Sequence, residues 1–280
     1  MNEIQYLSYS GRKSYLTCPR QYEYRYILKD STRRDPKDSL FGSTIGKIFE
    51  WFYSKQAWAA IDPLQTTLSF IEPALELVFD KEHWNPNADP AFVTKLRHDL
   101  RELIPTTIET IRSHHLLTTS SRAEVDLTVQ YHHEIHGFSL KLGGRADFIH
   151  TTKNGVWIID GKGSAHREKF TDSEQVIWYA TQHFLKYHIT PVRLGFMYYK
   201  FPKDPIQWVA YDAQTIRNSL NKTFEISKKI QLKQFMPTPT NECHRCDYHT
   251  KCDDGTRYLA ERRVASGGRV DDSVFSLELV

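Results

Sequence analysis

The stretch that most constrains this chain covers residues 143–179, which read as strand, turn, strand, loop and helix. Asn154-Gly155 is a hairpin signal, because both residues tolerate positive φ. The apolar run Val156-Trp157-Ile158-Ile159 behind it predicts a buried strand. That strand delivers Asp160, Gly161 and Lys162, and the strand segment before the turn begins Gly-Arg-Ala-Asp, ending at Asp147. A hairpin can set Asp147 and Asp160 side by side at one end of a sheet, a hard-oxygen pair suited to magnesium or manganese. Lys162, two residues beyond Asp160, points to the same face. Two carboxylates and a lysine can hold a metal, orient a water and offset charge on a phosphate. The same four charges can also pair on a solvated strand edge, Asp147 and Asp160 with Arg145 and Lys162.

The chain has 280 residues, enough for one large domain or two small ones, and its 40% apolar and 13% aromatic content suits a globular core. A net charge of +3 rules out bulk charge as an argument for nucleic-acid binding and leaves room for a local basic patch. No apolar run approaches transmembrane length, and the N-terminus lacks the layout of a signal peptide. The expectation is a soluble, cytoplasmic protein with no membrane partner. Four cysteines are too few and too unevenly distributed for a secreted disulfide scaffold.

Taken in order, residues 8–29 predict a short helix capped by Ser8 or Ser10 and a second one restarting at Thr17-Cys18-Pro19. Residues 39–60 predict a helix with Ile45, Ile48, Phe49 and Phe52 on one face. Two further helices, over 64–84 and 90–117, are each expected to kink or split at a proline, Pro73 and Pro105. This helical insert, about 60–118, is expected to cover one side of the sheet and to shape a groove. His114-His115 near its end is a weak metal signal, and exposed or capping histidines are the more common case. Strands are predicted at roughly 122–133, 137–142, 144–150 and 156–162. A helix follows over 172–188 with Asp172 or Thr171 as cap, then strands at 192–201 and 206–212. Residues 213–234 predict a basic helix carrying Lys222, Lys228, Lys229 and Lys233. A solvated face is the ordinary reading of those lysines, and phosphate contact requires that they line a groove. Residues 256–280 read as a flexible linker and a short terminal segment.

Cys243, Cys246 and Cys252 lie within a dozen residues, a density that points to a metal site. Three local thiolates need a fourth ligand, and Cys18 is the remaining cysteine, so a joint site would tie the two ends of the chain together. Soft thiolates suit zinc or an iron–sulfur cluster alike, and spacing does not separate the two. His244 and His249 keep a mixed zinc site open.

The ordered set Asp147, then Asp160-Gly161-Lys162, then Gln175 and Tyr179 four apart on one helix face, resembles the PD-(D/E)XK nuclease superfamily. Within it the chain specifically resembles the RecB/AddB-type nucleases and the iron–sulfur nucleases of CRISPR adaptation. Cys18-Pro19 in its serine- and tyrosine-containing context, together with the three late cysteines, extends the resemblance over residues 8–253. It implies an α/β fold with a mixed central sheet flanked by helices, a restriction-endonuclease-like core over about 119–212. One domain over 1–255 would include the cysteine cluster at 243–252, with 256–280 as a tail. Asp147 and Asp160, with the carbonyl of Gly161, would bind Mg2+ or Mn2+. Lys162 would activate water and stabilise charge, with Gln175 and Tyr179 holding Lys162 and the DNA backbone. Cys18, Cys243, Cys246 and Cys252 would carry a 4Fe-4S cluster, with zinc as the alternative. The implied activity is a metal-dependent deoxyribonuclease, an exonuclease acting on DNA ends or single strands. It would serve recombination, repair or spacer acquisition, with protein partners in a recombination or CRISPR-type assembly.

One departure stands out. Relatives carry Gly-x-x-x-His and a Glu one turn later on the helix over 39–60; here Gly42 and Glu50 match, and the histidine position is Gly46. Glu50 can reach the metal directly or through water. Gly46 supports the rival reading, a weak or inactive DNA-binding or assembly module that keeps the nuclease fold. A third reading is a zinc-clamped scaffold with no DNA role.

Overall fold

The computed structural model describes residues 4–30, 32, 36–117, 120–163 and 173–265. The chain forms two compact units, Met1–Tyr9 with Asp35–Glu225 and Ser10–Arg34 with Ile226–Val280.

In the first unit a five-stranded sheet runs β2 (Arg122–Asp126), β5 (Arg145–Thr152), β6 (Gly155–Lys162), β7 (Arg193–Tyr198) and β8 (Ile206–Val209), in that spatial order. The β6–β7 pair is parallel and the other pairs are antiparallel. A three-stranded sheet has the order β1 (Gln5–Ser8), β4 (Phe138–Gly143), β3 (Val129–His133), with β1–β4 parallel. The expected mixed α/β class with flanking helices therefore holds, with two sheets in place of one. The break falls where one strand was expected over 122–133. Asp126 accepts a hydrogen bond from the Thr128 amide at 2.8 Å, a local turn that redirects the chain from one sheet to the other.

Alternation along the strands sends apolar side chains to both faces of the larger sheet. Phe148, Ile159 and Met197 join a core built from α3 (Lys37–Ser54), α5 (Ile71–Lys81) and α6 (Pro90–Ser113). Ile149, Ile158 and Phe196 pack on the other face with α7 (Glu174–Tyr187) and Ile216 and Phe224 of α8 (Ala213–Gln231). Each such buried side chain contributes about 1.5–3 kcal/mol, so hydrophobic burial fixes the hairpin from two sides.

Of the two helices expected to kink or split at a proline, one splits and the other runs on. The predicted helix over 64–84 breaks at residues 69–70, giving α4 (Pro63–Leu68) and α5, with Pro73 in the first turn of α5, where its missing N–H costs nothing. Pro105 lies inside an uninterrupted α6. The carbonyl deprived of its partner belongs to Arg101, an exposed residue that water can serve. His114 caps α6, its Nδ1 3.1 Å from the Thr110 carbonyl. The strand β1 was not expected at all, since four residues carry no readable alternation.

The second unit contains most of α1 (Tyr9–Thr17), then α2 (Pro19–Tyr22), a π-helical turn at Glu23–Ile27, the end of α8 and α9 (Asp253–Ala265). The stretch expected to open a flexible tail at 256 is helical through Ala265; Asp253 and Asp254 in its first turn favour that start. Asp172 and Thr171, the expected caps of α7, lie outside the described residues.

Candidate active site and cysteine cavity

The register of the sheet builds the site. Phe148 pairs with Ile159, so the next residues, Asp147 and Asp160, stand opposite each other on β5 and β6. The Gly161 amide donates to Asp147 Oδ2 at 2.8 Å, which fixes that carboxylate. Asp160 is 2% exposed. Asp147 keeps an accessible edge, although its carboxylate sits deep among protein atoms. Burial pushes both carboxyls above the usual range, and the charge of Asp160 pushes Asp147 well above it.

Lys162 Nζ lies 2.5 Å from Asp160 Oδ2 and donates to Gln175 Oε1 at 2.7 Å. The ammonium thus meets the Asp160 carboxylate and the Gln175 amide oxygen together. Gln175 Nε2 in turn donates to Asp160 Oδ1 at 2.8 Å and lies 3.1 Å from Tyr179 Oη. One amide thus spans the acid, the base and the phenol. The helix bearing it is docked by two buried contacts: Trp178 Nε1 donates to the Gly143 carbonyl at 3.2 Å and Gln182 Nε2 to the Leu142 carbonyl at 2.9 Å. Gly144 leaves room for this contact, since a Cβ on it would sit 2.1 Å from Gln182 Oε1. The sequence-predicted set Asp147, Asp160, Gly161, Lys162, Gln175 and Tyr179 is gathered at one end of one hairpin.

A separate arrangement occupies the second unit. Cys18, Cys243, Cys246 and Cys252 all line one cavity of about 280 Å³. The Thr238 amide lies 3.5 Å from Cys18 Sγ and the Thr240 amide 3.4 Å from Cys243 Sγ. Burial pushes the Cys246 thiol up, as do Cys18 and Cys243 beside it. A Cβ on Gly255 would lie 3.5 Å from Cys243 Sγ and 3.6 Å from Cys252 Sγ, so a side chain there would enter the space the sulfurs border. The two chain segments are held together by an Arg25–Asp247 ion pair, a Tyr24–Tyr248 ring stack at 5.0 Å and Lys251 Nζ on Asp30 Oδ2 at 2.8 Å. Among the described residues, no three His, Cys, Asp or Glu side chains are gathered tightly enough to enclose a metal ion. The four thiols edge a cavity instead.

Comparison with protein-family models matches residues 6–253 to the PD-(D/E)XK nuclease superfamily. The chain belongs to this superfamily. Comparison with curated proteins finds no match. Among solved structures, "Crystal structure of SSO0001" aligns over 91% of this chain and 89% of that chain, with 15% identity and a TM-score of 0.39.

PD-(D/E)XK nucleases usually use Mg2+ or Mn2+, and the paired carboxylates fit such an ion. Burial raises both carboxyls and the Asp160 charge raises Asp147 further, and a divalent cation would offset both effects. Glu50 of α3 is half-buried and ion-paired with Lys47. At Gly46 a Cβ would meet nothing within 4 Å, so the family's histidine position is open space.

Two residues escaped the sequence reading. Ala123 pairs with Phe148 and Val125 with Ala146, so Glu124 stands opposite Asp147 and extends the row of acids onto a third strand. Its φ of 52° lies in the left-handed region, unusual for a glutamate in a strand, and its carboxylate is 3.6 Å from Arg145. Counting register across β2 and β5 would have exposed it. The second is Tyr199, buried, stacked on Phe49 at 5.6 Å, with its hydroxyl 2.3 Å from where a Gly161 Cβ would stand. This contact explains why the middle residue of Asp160-Gly161-Lys162 is glycine, and only the folded sheet reveals it.

Among the described residues no helix is long and apolar enough to cross a membrane.

Proposed function

We propose that the protein is a divalent-metal-dependent deoxyribonuclease of the RecB/AddB type, an exonuclease acting on DNA ends or single strands in recombination, repair or spacer acquisition. The observation that carries this reading is the bridge from Gln175 to both Asp160 and Lys162, at 2.8 and 2.7 Å. A charged lysine held against a buried acid by a third side chain is costly for stability alone and useful where a phosphate must be met.

Asp147 and Asp160, with the Gly161 carbonyl, would hold the ion. When bound, Mg2+ or Mn2+ supplies Lewis-acid polarisation of a phosphate oxygen and lowers the pKa of water. The chain's own groups do the rest. Lys162 offsets charge growing on the phosphate and orients the attacking water. Gln175 fixes the ammonium, and Tyr179 backs Gln175. Buried packing on both sheet faces holds this geometry still, which is what makes such dipoles effective. The four cysteines are proposed to carry one 4Fe-4S cluster, supported by an all-cysteine donor set around one cavity and by amides directed at two of the sulfurs. The cluster would be a structural clamp, with no part in the hydrolysis.

The rival reading, a DNA-binding or assembly module, draws on Gly46. The experiment is digestion of 5′- and 3′-labelled linear DNA, single- and double-stranded, beside a closed circle, with Mg2+ or Mn2+. The expected result is stepwise loss from ends with the circle spared. Cutting of the circle would overturn the exonuclease mode, and inertness of every substrate would favour the binding module.

A further inference from the structure

The lysines at the end of α8 were readable from the sequence as a solvated face, with phosphate contact reserved for lysines that line a groove. Two of them do. Lys229 and Lys233 border a groove of about 640 Å³ within the second unit, together with Arg20, Tyr15, Phe235 and Met236. Lys229 and Lys233 are one helical turn apart, and Lys233 sits just past the end of α8 at φ 54°. The Gln234 amide closes that turn on the Lys229 carbonyl at 3.0 Å. Glycine or asparagine would occupy a left-handed position more cheaply, so the turn itself does not call for a lysine.

The groove has a charge excess. Glu23 is the acid in its wall, and Arg20 already pairs with it at 2.5 Å. Among the described residues, neither Lys229 nor Lys233 forms an ion pair. Lysines also offset a helix C-terminal dipole, which accounts for basic residues in this place. It does not account for the apolar groups nearby: Met236, which lines the groove, is 75% exposed, and Leu232, outside the groove lining, is 61% exposed. The floor under them is firm. Tyr15 Oη donates to the Gln234 carbonyl at 2.7 Å, and the Tyr15 and Phe235 rings meet edge to face at 6.4 Å. Unpaired cations beside exposed apolar side chains over an aromatic floor are the recognition chemistry of single-stranded polynucleotides, whose phosphates and unstacked bases run side by side.

We propose that this groove binds single-stranded DNA, with backbone phosphates on Lys229 and Lys233 and an unstacked base against Met236. The choice of DNA as occupant rests on the nuclease reading; the groove's charge and apolarity do not.

The test is binding of a fluorescein-labelled oligothymidylate of about 20 nucleotides to the full-length protein in EDTA, across a salt series. Lys229→Gln with Lys233→Gln is expected to weaken binding about tenfold or more at low salt. It should also reduce the slope of log affinity against log salt by about 1.4, the value for two phosphate contacts on a single strand. Met236→Ala is expected to weaken binding equally at every salt concentration. Lys228→Gln, at the same helix end but outside the groove, is expected to leave affinity within about twofold of wild type. The proposal is overturned if the double variant binds like wild type, if Lys228→Gln matches it, or if wild type does not bind the oligonucleotide. It is also overturned if a polyglutamate peptide competes as well as unlabelled oligonucleotide while Met236→Ala is silent, which would mark an acidic-peptide site. Cleavage is read separately. A wild type that binds through these lysines but cuts nothing with any divalent ion keeps the groove and sinks the nuclease reading.

Discussion

At the residue scale the site is a compromise between burial and charge. Asp147 is raised well above the carboxylate range by burial first and by the Asp160 charge second. A carboxyl whose folded value exceeds its unfolded value of about 4 favours the fold while protonated. That contribution is lost as pH rises through the folded value. The metal-free protein should therefore gain thermal stability at pH 8 from Asp147→Asn, which can still accept from the Gly161 amide, and the gain should vanish toward pH 4. Added Mn2+ should raise the melting point of wild type and not of the variant. Melting curves at both pH values check this, and a variant less stable than wild type at pH 8 would refute the assignment. Gly161→Ala should cost about 1–3 kcal/mol in denaturant titrations, because the new methyl meets a Tyr199 hydroxyl that cannot retreat from its stack on Phe49. Adding Tyr199→Phe should recover part of that loss. Gly46→His fits in open space and should lower the metal concentration for half-maximal cleavage by about tenfold; an unchanged value would show that the helix does not face the ion.

At the element scale the hairpin and α7 were legible because their signals are local. Asn154-Gly155 sets a turn, the apolar run after it sets a strand, and Gln175 and Tyr179 four apart must share a face. What was not legible depends on pairing. One expected strand at 122–133 serves two sheets because Asp126 turns the chain, and Pro105 passes inside a helix because the carbonyl it orphans is at an exposed residue. Glu124 and Tyr199 belong to the site by register and close approach, which no short motif encodes. In α7, Gln175→Ala is expected to reduce cleavage by about ten- to a hundredfold with the melting point nearly unchanged, since Trp178 and Gln182 keep the helix docked. Loss of folding in that variant would mean Gln175 is part of the dock instead.

At the scale of the whole molecule, cysteines from both ends of the chain line one cavity, so the second unit is assembled from residues more than two hundred positions apart. Closing so long a loop is costly, and a bound cluster is the kind of contact that offsets it. Anaerobically purified protein should be brown. Cys18→Ser should bleach it and expose the segment after 235 to proteolysis, although the substitution lies near the other terminus. A colourless wild type holding stoichiometric zinc would replace the cluster with a zinc site.

The central claim is that Asp147, Asp160 and Lys162 form one hydrolytic site. It is tested most directly by the initial rate of DNA cleavage against Mg2+ and Mn2+ concentration for wild type and Asp160→Ala. Wild type is expected to cleave only with metal and to be silenced by EDTA, with a fall of more than about a hundredfold in the variant. Cleavage by Asp160→Ala at the wild-type rate would contradict it.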